Sequence, residues 1–516
     1  MRLITPWLTT LLVVLSLAAC TGNAPFQTTA IPASTQPETP PLETQAPAGI
    51  SPTEAPTEGV SQTENTPAPD ETDIPQNPTP TRKPANTLYR LSAELDYGLH
   101  LLAVEEQIEF TNNINEAIPD LLLVVEPTRY PSVFSLKDLT WGDGTPVDTY
   151  RQEIGQISIP LKKPIAPGES ITLLLTYELN LPSPDPSFYG RPVPFGYTAA
   201  QTNLVDWYPF LPPYLPGRGW WFNQAGPFGE QLVYDSVDFE VEIRLLDERD
   251  DLVVAASSLP KVDGEWLKYQ YPSARNFAWS VSHQYSVATR QVGSVTVKAY
   301  TFPVHASAGE AALQATAEAL TLYNRLFGEY PRELLSVIEA DFLDGMEYDG
   351  LYFLSKGFYN LYSGTPGEYL IAIAAHETAH QWWYAQVGND QAIEPWLDEA
   401  LCTFSERLYY ENIHPEALEW WQQYRVDYWE PKGWVDGTIY NPEGYRAYRD
   451  AVYLNGAVFL TELRSEIGED AFMAFLKDYA QENYGKISTA DDFFSILENY
   501  SGSDLTPLLE QYFSKR

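Results

Sequence analysis

In the stretch Ala375-His376-Glu377-Thr378-Ala379-His380-Gln381, two histidines stand four positions apart around a glutamate. On an α-helix, positions four apart lie nearly above one another on one face, so both imidazoles can aim at one point. That is the spacing a zinc ion needs, and it requires this segment to be helical. Glu377, beside the first ligand, can reach a water at the metal without being a ligand itself. Thr365-Pro366-Gly367-Glu368 reads as a capping box with Pro at the first helical position, and Gly388 as a stop. The competing reading is an amphipathic helix with two incidental histidines. A third ligand elsewhere in the chain decides between them.

Length allows for that ligand to come from a separate element. The 516 residues suffice for two or three domains with substantial cores, and 44% of them are hydrophobic. The formal charge of −39 repels phosphate backbones, which excludes nucleic acid as the expected partner. The two cysteines, Cys20 and Cys402, form no disulfide framework. Cys402 reads as a small buried apolar residue.

The N-terminus reads as a targeting segment. Arg2 precedes an apolar run from Leu8 to Ala19 that is too short to span a membrane and matches a signal-peptide core. It ends Leu17-Ala18-Ala19-Cys20, which resembles the bacterial lipobox, so residues 1–20 are expected to be a lipoprotein signal with Cys20 the lipidated residue. The expected location is the extracytoplasmic face of a bacterial membrane, held at the membrane surface by the N-terminal lipid. Residues 21–87 are Pro, Thr, Ser, Glu, Gln and Ala with almost no large apolar residue. Such a segment buries too little surface to offset its ordering entropy, and reads as a disordered tether that could reach on the order of 200 Å at about 3.1 Å per residue.

From residue 88 the pattern alternates. Strand-like runs at residues 89–95, 101–110, 157–159, 171–175, 238–245, 252–256, 266–271 and 294–302, separated by turns such as Gly142-Asp143-Gly144, predict an antiparallel β domain over 88–302. The Pro-rich interlude from Trp207 to Tyr214 reads as aromatics packed between layers. After residue 303 the period becomes helical. Ser307 to Glu310 offers a capping box for a helix ending at Gly328, strands are expected at 334–340 and 350–354, and helices at 395–412 and after Tyr453, Glu469 and Ser488. Residues 303–516 therefore read as an α+β, mostly helical domain.

The second helix supplies the third ligand. Glu399, in Trp396-Leu397-Asp398-Glu399-Ala400, follows His380 with 18 residues between them. The pattern H-E-x-x-H-x18-E resembles the gluzincin arrangement, and the segment is similar to W-L-N-E-G of the aminopeptidase N (M1) family of zinc metallopeptidases. Asp398 and Ala400 depart from that segment without touching the ligand. Leu343-Asp344-Gly345-Met346-Glu347-Tyr348 resembles the family's G-A-M-E-N, with Gly345, Met346 and Glu347 matching; Tyr453-Leu454-Asn455-Gly456-Ala457 resembles its Y-x-K-G-A. The likeness is strongest from Asp341 to Leu460.

This resemblance implies a saddle-like β domain followed by a thermolysin-like catalytic domain. It also implies one zinc per chain on His376, His380 and Glu399, with Glu377 as general base and Tyr453 steadying an oxyanion. Peptides are the implied substrates, their free α-amine held by Glu347 beside the strand edge of Gly345 and Met346. Asp398 is read as a partner for a ligand imidazole or as a solvated surface carboxylate, and Tyr448 as a further lining residue. Two features widen the reading. The family's second amine-binding Glu, two residues after a Gln, corresponds to Asn203 in Gln201-Thr202-Asn203, and no large helical domain is expected before Arg516. Aminopeptidase action is expected first; an endopeptidase with a more open cleft, or a non-catalytic binding module on a peptidase scaffold, remain as alternatives. His100, His283, His305 and His414 are expected to be structural or exposed.

The lipobox reading is checked by growth with radiolabelled fatty acid. Label is expected on the wild-type chain and absent from Cys20→Ala; label that survives the substitution contradicts it.

Overall fold

A computed structural model describes residues 87–183, 194–342 and 344–515. The signal segment with Cys20 and all but the last residue of the tether lie outside the described residues. β1 (Thr87–Asp96) begins the first half and alternates strictly between buried and half-buried positions. Tyr89, Leu91, Ala93 and Leu95 enter the core, while Arg90 and Glu94 face outward and pair across strands with Glu109, Glu240 and Arg244. Six strands join it: β2 (Leu101–Thr111), β3 (Phe134–Trp141), β4 (Ser170–Asn180), β5 (Val237–Leu245), β6 (Lys261–Asp263) and β7 (Trp266–Ala274). Their order is β6-β7-β5-β1-β2-β4-β3, antiparallel throughout except that β1 and β5 run parallel. Smaller sheets, one joining Val253–Ala256, Trp279–Ser282, Thr202–Leu204 and Gly196–Tyr197, complete this half. Trp207, Tyr208, Phe210 and Leu211 of the Pro-rich interlude are buried in its core.

A second, five-stranded sheet separates this core from the helices. It contains β8 (Ser286–Val292), β9 (Val295–Thr301), β10 (Leu334–Ala340), β11 (Gly345–Tyr348) and β12 (Leu351–Ser355), in the order β8-β9-β10-β12-β11. β9, β10 and β12 are parallel, with α1 (Ala306–Phe327) carrying the chain from β9 to β10. Every residue of β10 and β12 is buried, because both faces are covered. Leu335, Val337 and Leu354 enter the helical core; Ile338, Ala340 and Phe353 enter the core of the first half. This double burial explains their predominantly apolar sequence, broken only by the buried Ser336, Glu339 and Ser355. By sequence the strand expected at 294–302 falls in a first domain ending at residue 302, and no strand is expected over Ser286–Val292. β9 instead hydrogen-bonds to β10, so the sheet of the second half takes in residues from Ser286 onward.

Helix ends differ from the sequence expectations for local reasons. α1 starts at Ala306, leaving Ser307 inside the first turn rather than capping it; Gly328, at φ 122°, ends it as expected. α2 (Tyr369–Ala379) starts after Glu368, whose carboxylate accepts from Ser363 N and Thr365 Oγ1 (both 2.8 Å) and shapes the preceding loop. The helix ends at His380, well before Gly388. α3 (Trp396–Asn412) follows Pro395, and α4 (Gly456–Ile467), α5 (Glu469–Glu482), α6 (Ala490–Leu497) and α7 (Thr506–Tyr512) surround it. α6 uses Thr489 and Asp492 as its capping box, one residue later than expected. Among the described residues no helix is long and apolar enough to cross a membrane.

One buried side chain ties the two halves together. Arg275, just past β7, donates to the carbonyls of Tyr234 (3.1 Å), Ala385 (3.2 Å), Gln386 (3.2 Å) and Lys486 (2.6 Å). Gly388 makes room for it: a Cβ there would lie 2.8 Å from the Arg275 guanidinium carbon. The loop leaving α2 is thereby braced against the first half.

Candidate active site

α2 is buried from Leu370 to Ala379 and carries His376 and Glu377; His380 follows at its C-terminal cap. α3 presents Glu399 to them. The Nε2 atoms of His376 and His380 lie 3.2 Å and 3.6 Å from the same oxygen, Glu399 Oε2, and the ring centroids are 4.9 Å apart. Each imidazole is oriented through its other nitrogen. Carboxylates and carbonyls only accept, so His376 Nδ1 donates to Glu406 Oε1 (2.9 Å) and His380 Nδ1 donates to Trp383 O (3.1 Å). In the neutral imidazoles both Nε2 atoms are then acceptors that face an acceptor, unless a proton or a cation lies between. Two imidazole nitrogens and a carboxylate, all buried and within 4.8 Å of one another, need a cation between them, and this donor set fits zinc.

Electrostatics expresses the same need. Burial opposes charge on Glu399, but the two imidazoles outweigh it and hold the carboxyl at about 2. Burial likewise opposes charge on His376, yet Glu399 and Glu406 raise it to about 9. Without a metal the site gathers protons, and a divalent cation would displace them. Burial pushes the neighbouring Glu377 carboxyl up to about 8, against the pull of His380 and His376. Its Oε2 is buried and has no hydrogen-bond partner among the described residues. Gly345 gives it room: a Cβ there would sit 2.0 Å from Glu377 Oε1. The requirement for glycine at this position is thus set by the glutamate across the cleft.

The remaining expected residues gather around this centre. Tyr453 Oη donates to Glu399 Oε1 (2.6 Å), and its ring lies parallel to His376 at 6.1 Å. The close approach of α4 to α3, with Gly456 against Ala400, brings Tyr453 there. Tyr448 is fully buried edge-on to Tyr453 at 5.9 Å. Glu347 is buried on β11, the edge strand, and accepts from Gln391 Nε2 (2.9 Å). Met346, half-buried beside it, packs against the core of the first half.

Asp398 corrects both readings given to it. It is fully buried, and it bonds Gln391 Nε2 (3.0 Å) rather than an imidazole, steadying Glu347 through that amide. Cys402 is fully buried, as expected. His305 pairs with Glu339, His414 with Glu318 and Glu416, and His283 bonds Tyr97, while His100 stacks on Tyr197.

The sequence reading missed Glu406, Arg425 and Gln391. Arg425 Nη2 and Nε clamp Glu406 at 2.7 Å and 2.9 Å, and Trp421 Nε1 donates to it at 2.8 Å. Glu406 stands seven residues after Glu399, two turns along one face of α3, so its position was available from helical spacing. Gln391 comes from a turn and Arg425 from a short π-helical stretch, Trp421–Val426, and no periodicity announces them.

Residues 311–512 match the family model described as the Peptidase family M1 domain. Curated relatives include aminopeptidase M1-D of Oryza sativa subsp. japonica, 24% identical over 55% of this chain and 35% of its own length. Endoplasmic reticulum aminopeptidase 1 of Rattus norvegicus is 24% identical over 70% of this chain and 40% of its own length. The chain spans well under half the length of these relatives. Among solved structures, an M1 zinc metallopeptidase from Deinococcus radiodurans covers 84% of this chain and 95% of its own at 20% identity, with a TM-score of 0.58. A mutant of that protein, bound to a Tyr-Ser-Ala substrate, covers 86% and 97% with a TM-score of 0.59. The two-domain fold is shared.

Replacing Glu406 by Gln keeps the shape of the His376 contact and removes its charge. Zinc affinity, measured by competition with a chromophoric chelator, is expected to fall about 10- to 100-fold with the fold intact. Unchanged affinity contradicts the role given to Glu406.

Proposed function

We propose, from the match of residues 311–512 to the model of the peptidase family M1 domain, that this chain is a zinc-dependent aminopeptidase that removes N-terminal residues from peptides. The observation that carries this reading is the convergence of His376, His380 and Glu399 beside an unpartnered oxygen of Glu377. His376 Nε2, His380 Nε2 and the Glu399 carboxylate would hold the zinc. When bound, it would supply Lewis-acid chemistry, acidifying a water and polarising the scissile carbonyl.

The chain's own groups do the rest. Glu377 takes the proton of the attacking water and returns it to the leaving amine nitrogen; a carboxyl lifted by burial toward neutral pH suits both transfers. The Tyr453 hydroxyl, on leaving Glu399 Oε1, donates to the oxygen on which negative charge develops. β11 offers its free edge to an extended peptide. Glu347, buried at the end of that edge with one oxygen held by Gln391, receives the free α-ammonium.

A zinc endopeptidase with an open cleft is the second reading, and Asn203 favours it. The side chain at the position resembling the family's second amine-binding Glu is neutral, and Gln201 and Ser280 occupy its oxygen.

One set of peptides separates these readings. Wild type is expected to cleave free-amine peptides and to spare their N-acetylated forms, and Glu347→Ala to erase that difference. Glu377→Gln is expected to lower kcat about 10²- to 10⁴-fold with zinc retained. Equal cleavage of acetylated peptides by wild type favours the endopeptidase, and undiminished turnover by Glu377→Gln contradicts the mechanism.

A further inference from the structure

The two imidazoles of the metal site are held in different ways. His376 leans on Glu406, which Arg425 and Trp421 clamp from within the helical half. His380 Nδ1 donates instead to a backbone carbonyl, Trp383 O (3.1 Å), in the turn that leaves α2. Cys402 Sγ, 3.9 Å from the same oxygen, is too weak a donor to hold it. Trp383 Nε1 donates to Ser405 Oγ (3.1 Å), which fixes the indole and not the peptide. The direction of this carbonyl is therefore set by its peptide plane, which Trp383 shares with Tyr384.

Tyr384 is strained. Its φ is 144°, in a region that L side chains rarely adopt. φ is the rotation about the N–Cα bond that adjoins the Trp383–Tyr384 peptide, so this one angle decides where the Trp383 carbonyl points. Relaxation to a negative φ would swing the carbonyl away from His380 Nδ1 or displace the turn. Backbone strain of this kind persists only where the surroundings over-determine it.

Those surroundings come from the first half. Tyr384 and Ala385 pack in its core, although they follow α2 in the chain. Tyr384 Oη accepts from Asn276 Nδ2, and its ring lies edge-on to Tyr234 at 6.4 Å. Asn276 is itself fixed, with Oδ1 accepting from Asp349 N (3.0 Å). Arg275 grips the next two peptides through Ala385 O and Gln386 O, and its own backbone N–H donates to Asp349 Oδ2 (3.0 Å). Two adjacent residues of the first half thus hold three successive residues of the turn. A group that orients a ligand imidazole through its outer nitrogen tunes the metal, and here that group is itself oriented from outside the helical half.

We propose that Arg275 and Asn276 are positioning residues for His380. From the first half they keep the Tyr384 turn in the conformation that aims the Trp383 carbonyl at His380 Nδ1, and the affinity of the metal site depends on them. Resting on the zinc reading, this extends the support of the metal centre into the first half.

The test uses the full chain. Zinc affinity is read by competition with a chromophoric chelator, and ligand geometry by the visible absorption of the cobalt(II)-substituted protein. Tyr384→Phe removes the hydroxyl that Asn276 holds and keeps the ring. It is expected to weaken zinc about 3- to 10-fold, as for one lost hydrogen bond, and to shift the cobalt bands. Arg275→Lys, which reaches fewer of the carbonyls, is expected to weaken zinc about 10- to 100-fold. Ser336→Ala breaks a different buried bond between the halves, from Ser336 Oγ to Ala256 O (2.9 Å), and is expected to leave affinity and bands unchanged. Where Arg275→Lys does not fold, Tyr384→Phe against Ser336→Ala decides. Unchanged affinity or unchanged bands in Tyr384→Phe, or an equal loss in Ser336→Ala, overturns the proposal. Failure of the underlying reading is distinct: the wild-type chain itself would then take up no stoichiometric zinc.

Discussion

Three buried acceptors pointed at one another are unstable without a positive charge between them, and the helical half is arranged to hold His376 Nε2, His380 Nε2 and Glu399 Oε2 in that relation. Each is fixed from behind. Glu406 and the Trp383 carbonyl take the outer protons of the imidazoles, and Tyr453 occupies the second oxygen of Glu399. The Arg425 guanidinium neutralises Glu406 in a buried bidentate pair, which a lone buried carboxylate could not survive without protonation. The carboxyl groups left over are those of Glu347 and Glu377, for which a cation and an ammonium are the natural complements.

Packing explains why these groups can come so close. Gly345 yields space to the Glu377 carboxylate, Gly456 meets Ala400 so that α4 lies hard against α3, and Gly388 admits Arg275 from the first half. Each small residue stands where a functional or bracing side chain must pass. The doubly covered sheet gives the rigidity behind this. β10 and β12 are buried on both faces, while β11 at the edge keeps one side free of strand pairing.

Much of this was legible in the sequence, because the signals were periodic or motif-like. Residues four apart on a helix announced His376 and His380, a fixed interval announced Glu399, and alternation announced β1 and its neighbours. The failures were of another kind. Helix ends shifted where local side-chain hydrogen bonds decided them, as at Glu368, whose carboxylate accepts from Ser363 and Thr365 in the loop before the helix. The boundary at residue 302 missed the β9–β10 pairing, which connects strands on either side of α1. Asp398 was misread because its partner, Gln391, comes from a loop.

The central claim is that one zinc ion is held by His376, His380 and Glu399 with Glu377 outside its ligand shell. Anomalous diffraction at the zinc edge from crystals of the purified protein tests it directly. The account predicts a single peak about 2.0–2.2 Å from both Nε2 atoms and the Glu399 carboxylate. A peak centred instead among Glu347, Glu377 and His380, the other group of convergent acceptors, or no peak in zinc-loaded protein, would contradict it.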